Sequence, residues 1–190
     1  NFYYKYDGSV GKDLSHGVVT DPASKQKTYG ELHPGANLQS KMPGVDEPQK
    51  NYRDWSKGVS GWQEGGVQTP DGLAQLLFAR VEALALARAA GNPGKDPTGK
   101  DISKVFVSAD GIDYAELIQK YLTGAISVSQ ALDDYLDEGL GADNAVAVTG
   151  KTYSDLEHAW DEGFGYFGAS RDYGLRTDAE VSAKAWFDTN

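Results

Sequence analysis

An all-α fold, a bundle of four helices preceded by a long irregular arm, follows from three features of the sequence. Helix start and stop signals bracket residues 69–93. From Ile112 to Glu138 the apolar residues Tyr114, Ile118, Tyr121, Ala125, Val128, Leu132 and Tyr135 recur at alternating steps of four and three, the spacing of a helix lying along neighbours. Strand signals are confined to brief stretches such as Val105-Phe106-Val107.

The first helix is expected at TPDGLAQLLFARVEALALARAAG. Thr69 suits the N-cap, Pro70 the first helical position, Asp71 the positive end of the dipole, and Gly91-Asn92-Pro93 the stop. Leu73, Leu76, Leu77 and Leu84 give it a core face. The second helix is the long one over 112–138, in which Gly124 marks a close approach or a kink. The third is YSDLEHAWDEGFGYFG, with Ser154 and Glu157 in capping-box spacing and Thr152 as the alternative cap. A fourth starts at Thr177-Asp178 and runs through Ala185 and Trp186. No internal repeat is evident, and four helices beside an irregular arm predict a bundle.

Residues 1–68 hold no sustained period and are rich in Gly, Pro, Asn, Lys and Tyr. Phe2, Tyr3, Tyr4, Tyr6, Tyr52, Trp55 and Trp62 are too many aromatics for a solvated tail, so the arm is expected to pack on the body or on a partner. The organisation read from the sequence is therefore an arm over 1–68 and a helical bundle over 69–190.

Composition removes several function classes. The 190 residues are 39% hydrophobic and 24% charged, with 28 acidic against 18 basic residues and a net charge of -10. A phosphate backbone would meet repulsion, so nucleic acid is excluded as a partner. The chain has no cysteine, so any metal site must use oxygen and imidazole. No apolar run is long enough to span a bilayer, and a chain that begins at Asn1 is expected to have been processed or cut from a longer one. There is no phosphate loop after a strand and no nucleophile elbow.

The chemistry concentrates in EHAWDEGFGYFG, residues 157–168. At about 100° per residue, Leu156, Trp160, Phe164 and Phe167 share one stripe, expected to be core. Glu157, His158, Asp161, Glu162 and Gly165 take the other side, with His158 one turn from Asp161 and Glu162. A solvated face with local ion pairs is the simplest account of such charges. Gly163 and Gly165 are the exception, since each costs about 1 kcal/mol against alanine in a helix, and a glycine beside Asp161 makes sense where a backbone or ligand comes close. His158, Asp161, Glu162 and Glu157 are therefore the candidate metal ligands, a set suited to Fe, Zn or Mn. A second histidine at H-E-x-x-H spacing is absent, and His16 and His33 would have to fold back from the arm. Asp110, Asp113 and Glu116 read as caps and dipole partners. Asp133, Asp134, Asp137 and Glu138 read as a solvated acidic surface.

The stretch DGIDYAELIQKYLTGAISVSQALDDYLDEGL, together with DNAVAVTGKTYSDLEHAWDEGFGYFG, resembles the bacterial envelope family called domain of unknown function 4856, over roughly residues 65–190. That family is similar in layout to the imelysin-like proteins, whose signature is G-x-H-x-x-E. Here Leu156 through Asp161 supply H-x-x-D with Glu162 next, and Leu156 stands at the glycine position. The resemblance implies an imelysin-like helical bundle, periplasmic or on the cell surface, usually lipid-anchored, associated with the outer membrane and with iron acquisition, and without an established enzymatic activity. Members of the family are longer than this chain. Asp188-Thr189-Asn190 matches the start of a D-x-N-G-D-G calcium loop, and the missing C-terminal remainder of the same protein is an expected partner that covers part of the bundle.

Three functional expectations follow. The leading one is a non-enzymatic envelope binding protein that holds a metal ion or metal-bearing ligand near His158, Asp161 and Glu162 and serves metal uptake. The second is a metal-dependent hydrolase or peptidase-like protein in which Glu157 or Glu162 activates water. The third is a structural module that docks on an outer-membrane partner.

Overall fold

The computed structural model describes residues 4–5, 37–45, 69–168 and 172–183, and the fold they form is all-α. Helix α1 spans Pro70–Ala89, α2 Tyr114–Ile126, α3 Asp155–Phe167 and α4 Asp178–Ala183. Short 3-10 turns occupy Gln39–Lys41, Glu138–Gly141 and Tyr173–Leu175. The chain continues from α2 into a π-helix over Ser127–Tyr135. Most of the arm lies outside the described residues, as do His16, His33 and Asp188 with the calcium-loop expectation.

Local chemistry sets the helix ends. Thr69 Oγ1 accepts from the Gly72 N–H, and Pro70 opens α1 at the position where its missing N–H costs nothing. Asp71 does more than meet the helix dipole. Its carboxylate accepts from the Tyr4 hydroxyl at 2.8 Å, from Gln39 Nε2 at 3.2 Å and from Gln75 Nε2 at 2.6 Å. Tyr4 and Met42 are thereby held against Ala74, and Phe78, Tyr121 and Leu122 pack on the same cluster. A second cluster joins Leu73 and Leu77 to Tyr114, with Leu117 and Ile118 around it. These two clusters clamp α1 to α2, and the Tyr121 hydroxyl donates to the Pro70 carbonyl at 3.0 Å.

The helices α2 and α3 are entered by the same device, which sequence inspection does not reveal. Before α2, Val107 bridges Asp113, the Ser108 N–H donates to the Ile112 carbonyl, and Asp113 accepts from the Glu116 N–H. Before α3, Ala147 bridges Ser154, the Val148 N–H donates to the Tyr153 carbonyl, and Ser154 accepts from the Glu157 N–H. Each turn closes through a glycine in the left-handed region, Gly111 at φ 86° and Gly150 at φ 78°, a conformation that costs glycine little. Val105-Phe106-Val107 is therefore part of a turn, with one isolated bridge in place of a strand. Ser154 is the true cap of α3, completed by the reciprocal bond from its own N–H to Glu157 Oε2 at 2.8 Å.

The π-helix changes which residues face inward. The Leu136 N–H reaches back five residues to the Ala131 carbonyl, the wider hydrogen-bond step of a π-turn. The four-and-three seam of α2 therefore ends at Ala125. Beyond it Val128 and Leu132 are exposed, whereas Ser129, Gln130, Ala131 and Asp133 are buried. Asp133 is thus an interior residue, in contrast to the solvated acidic surface expected of it.

Helix α3 packs along this π-helix and the 3-10 turn that follows. Its inward residues are Ala159 and Gly163, flanked by the half-buried Leu156, Glu162 and Tyr166. The stripe expected to be core is instead the flank of the contact: Trp160 is 60% exposed and Phe167 72%. The reason is close approach. A β-carbon on Gly163 would stand 3.1 Å from Leu136 Cγ and 3.2 Å from Tyr135 Cβ, and one on Gly139 would stand 3.0 Å from Ala159 Cβ. Small residues on both sides let two backbones come together, and only that arrangement seats α3. Gly165, by contrast, has nothing within 4 Å among the described residues, so the expected close approach occurs at Gly163 and nothing in the structure explains Gly165.

The two glycines should therefore respond with opposite sign. Gly163→Ala is expected to destabilise by about 1–3 kcal/mol, because Tyr135 Cβ is fixed to its backbone and cannot swing away. Gly165→Ala should stabilise by about 0.4–1 kcal/mol. Urea denaturation of both variants checks the pair, and equal shifts of the same sign would contradict the packing described.

Candidate functional site

The capping box of Ser154 and Glu157 fixes where α3 begins, and the Gly163 contact fixes its rotation. Together they decide where each candidate ligand points. His158 and Glu162, one turn apart, lie on one flank of the contact, with His158 Nε2 3.2 Å from Glu162 Oε1. The imidazole stacks on the Tyr153 ring at 5.3 Å between centroids. Glu162 also lies beside the phenol of Tyr135 of the π-helix and helps hold its pKa up, and the Tyr135 ring stacks on Tyr166 at 5.8 Å. Lys41, from the first 3-10 turn, places its ammonium 5.9 Å from the Tyr166 centroid.

These contacts form one polar and aromatic cluster: Tyr153, His158, Glu162, Tyr135, Tyr166 and Lys41. Sequence reasoning found two of its members, His158 and Glu162. Tyr135 reads from the sequence as a seam residue, and only its position across the helix contact brings it to Glu162.

The other two candidate ligands go elsewhere. Glu157 is held by the Ser154 N–H in the capping box. Asp161 and Glu157 both line a shallow hollow of about 410 Å³ with Leu140, Asn144, Leu156 and Trp160. Among the described residues no group of three or more His, Asp or Glu side chains is placed to hold a metal ion. The structure thus brings His158 and Glu162 together and leaves Asp161 and Glu157 on the neighbouring face.

The pair is half open to water, with side-chain exposures of 51% for His158 and 36% for Glu162. An exposed pair one turn apart on a helix contributes only about 0.3–0.5 kcal/mol to stability, too little to explain the cluster as a structural brace. Chemically it offers an imidazole nitrogen and a carboxylate oxygen on one edge, with the Tyr135 phenol beside the carboxylate.

The fold and site together define an all-α bundle with a half-open histidine and carboxylate edge and no assembled catalytic set among the described residues. Residues 72–184 match the family model described as "Domain of unknown function (DUF4856)". That match covers more than half of the chain, and the chain belongs to this family. No curated protein and no solved structure matches it.

Tyr135 gives the cluster a signature in alkali. Burial first, and then the hydrogen bond and charge of Glu162, hold its phenol well above the ordinary range. Burial with Asp71 does the same for Tyr4 and Tyr121. Unfolded tyrosines ionise near pH 10, so above about pH 10 the folded chain keeps protons that the unfolded chain has lost. Stability is then fully present below that pH and falls as the pH climbs. Tyr135→Phe should make the fall shallower, which denaturant titrations at pH 9 and pH 11 measure. Identical losses in both proteins would mean that Tyr135 ionises as freely folded as unfolded.

Proposed function

We propose that the chain is a non-enzymatic binding protein of the bacterial envelope, periplasmic or surface-exposed, in which His158 and Glu162 form an open two-ligand edge for a divalent metal ion or a metal-bearing ligand. The observation that carries this reading is the 3.2 Å separation of His158 Nε2 and Glu162 Oε1. Ligand bonds of about 2.0–2.2 Å, meeting at angles between a right angle and the tetrahedral value, set two donors roughly 3.0–3.5 Å apart. The spacing of the pair therefore suits a shared ion. Nitrogen with oxygen suits Fe, Zn or Mn.

Two protein ligands leave the remaining coordination positions to water or to the cargo. Such a site binds and releases, as uptake requires, where a closed four-ligand site would retain its ion. The family resemblance to lipid-anchored, imelysin-like proteins associated with iron acquisition supports both the envelope location and the cargo. A hydrolase would need a further protein ligand and a general base beside the bound water. Glu157, one of the two candidates for that base, already accepts the Ser154 N–H, and this weighs toward binding without turnover.

Calorimetric titration with Zn²⁺, Mn²⁺ and, anaerobically, Fe²⁺ tests the reading. One ion is expected per chain, and His158→Ala or Glu162→Gln should weaken binding at least ten-fold. Affinity should fall on acidification, because the imidazole must shed its proton to ligate. Binding that is untouched by either substitution would place any metal elsewhere and remove the proposal.

A further inference from the structure

We propose that the flank of α3 opposite the His158 and Glu162 edge is a docking surface for an arginine-bearing apolar segment of another protein. Leu156, Trp160, Phe164 and Phe167 follow helical spacing closely enough to read as core, yet Trp160 is 60% and Phe167 72% exposed. Single exposed apolar residues are ordinary. Two large aromatics seven residues apart on one stripe, about 10.5 Å along the axis, make a continuous face of the kind that marks an interaction site.

Charge identifies the occupant. The hollow beside this stripe holds the Trp160 indole, the apolar Leu140 and Leu156, and the carboxylates of Glu157 and Asp161. Helix α3 contains Asp155, Glu157, Asp161 and Glu162 and no lysine or arginine. Among the described residues neither Glu157 nor Asp161 meets a basic side chain, and the whole chain carries a net charge of -10. A hollow with an aromatic wall and, in Asp161, a carboxylate that meets no basic side chain among the described residues selects a cation with an apolar stem. Arginine meets both demands at once, since its planar guanidinium stacks on an indole while its fork engages a carboxylate. The flanking Leu140, at 49% exposure, and Phe167 then receive the apolar residues beside that arginine, the pattern of an amphipathic segment laid along a groove. A second copy of this chain would bring like charge to the hollow.

This inference stands apart from the metal reading, because the two faces use different side chains. The test is fluorescence anisotropy with a labelled peptide of about twelve residues carrying arginine and leucine at helical spacing, beside the same peptide with every arginine replaced by glutamate. The arginine peptide should bind saturably and the glutamate peptide should not. Trp160→Ala and Asp161→Asn should each weaken binding at least ten-fold, and Phe167→Ala by several-fold, with helical circular dichroism unchanged because all three side chains are exposed. Asp110→Asn, which removes one negative charge from the turn before α2, should leave binding unchanged, as should His158→Ala. Equal binding of both peptides, indifference to Trp160→Ala, or no saturable binding would overturn the proposal. So would sedimentation showing a dimer of the chain that dissociates on Trp160→Ala, since the face would then belong to a second copy.

Discussion

The rest of the structure depends on one close approach, the seating of α3 on the π-helix and its following turn through Gly163, Ala159 and Gly139. With β-carbon positions 3.0–3.2 Å from their neighbours, this contact admits no larger side chain and tolerates little rotation of α3 about its axis. Once Ala159 and Gly163 point inward, the 100° step of the helix assigns every other residue its direction. Glu162 and His158 fall on one flank, Trp160 and Phe167 on the other, and Asp161, Glu157 and Gly165 toward the back. The division of the acidic residues into two groups is thus a consequence of packing, and it separates the histidine and carboxylate edge from an aromatic hollow on a helix of 13 residues.

The π-helix is the partner that makes this contact possible, and it comes at a cost in polar burial. Its wider turn brings Ser129, Gln130 and Asp133 inside. Gln130 Nε2 donates to Ser129 Oγ at 3.4 Å, a long bond, while Gln130 Oε1 is buried and has no hydrogen-bond partner among the described residues. A buried, unsatisfied amide oxygen costs about 1–3 kcal/mol. Extended π-turns are rare and concentrate near functional sites, and here the turn's last residue is Tyr135, whose phenol lies beside Glu162. The π-turn and the polar cluster are therefore one feature of the chain.

How much of this was legible in the sequence depended on the range of the interaction. Thr69 with Pro70, and Ser154 with Glu157, act within one turn, so residue identity places the start of α1 and narrows that of α3 to Ser154 or Thr152, between which the structure decides for Ser154. The pairing of His158 with Glu162 was legible for the same reason, since residues four apart on a helix are neighbours. The apolar stripe of α3 misled because the helix carries two candidate seams, one of large side chains and one of Ala159 and Gly163. Hydrophobic periodicity weighs the first, whereas the structure packs the second through backbone proximity. The switch from α to π at Ser127 has no residue signature either, so Val128 and Leu132 read as core and emerged exposed. Tyr135 could not be assigned to the site because its link to Glu162 crosses between helices.

Helix α3 holds its place without help from either of its exposed flanks. Its start is secured by the reciprocal capping box, a device whose loss costs about 1 kcal/mol, and its length by the seam of small residues. The His158 and Glu162 pair, by contrast, is half solvated and adds a few tenths of a kcal/mol, while Trp160 and Phe167 leave most of their surface in water. Energetic support and chemical display are thus carried by different residues of the same three turns. A ligand on one flank or a peptide on the other can come and go without disturbing the contact that folds the helix, and this separation allows two surfaces to share so short an element.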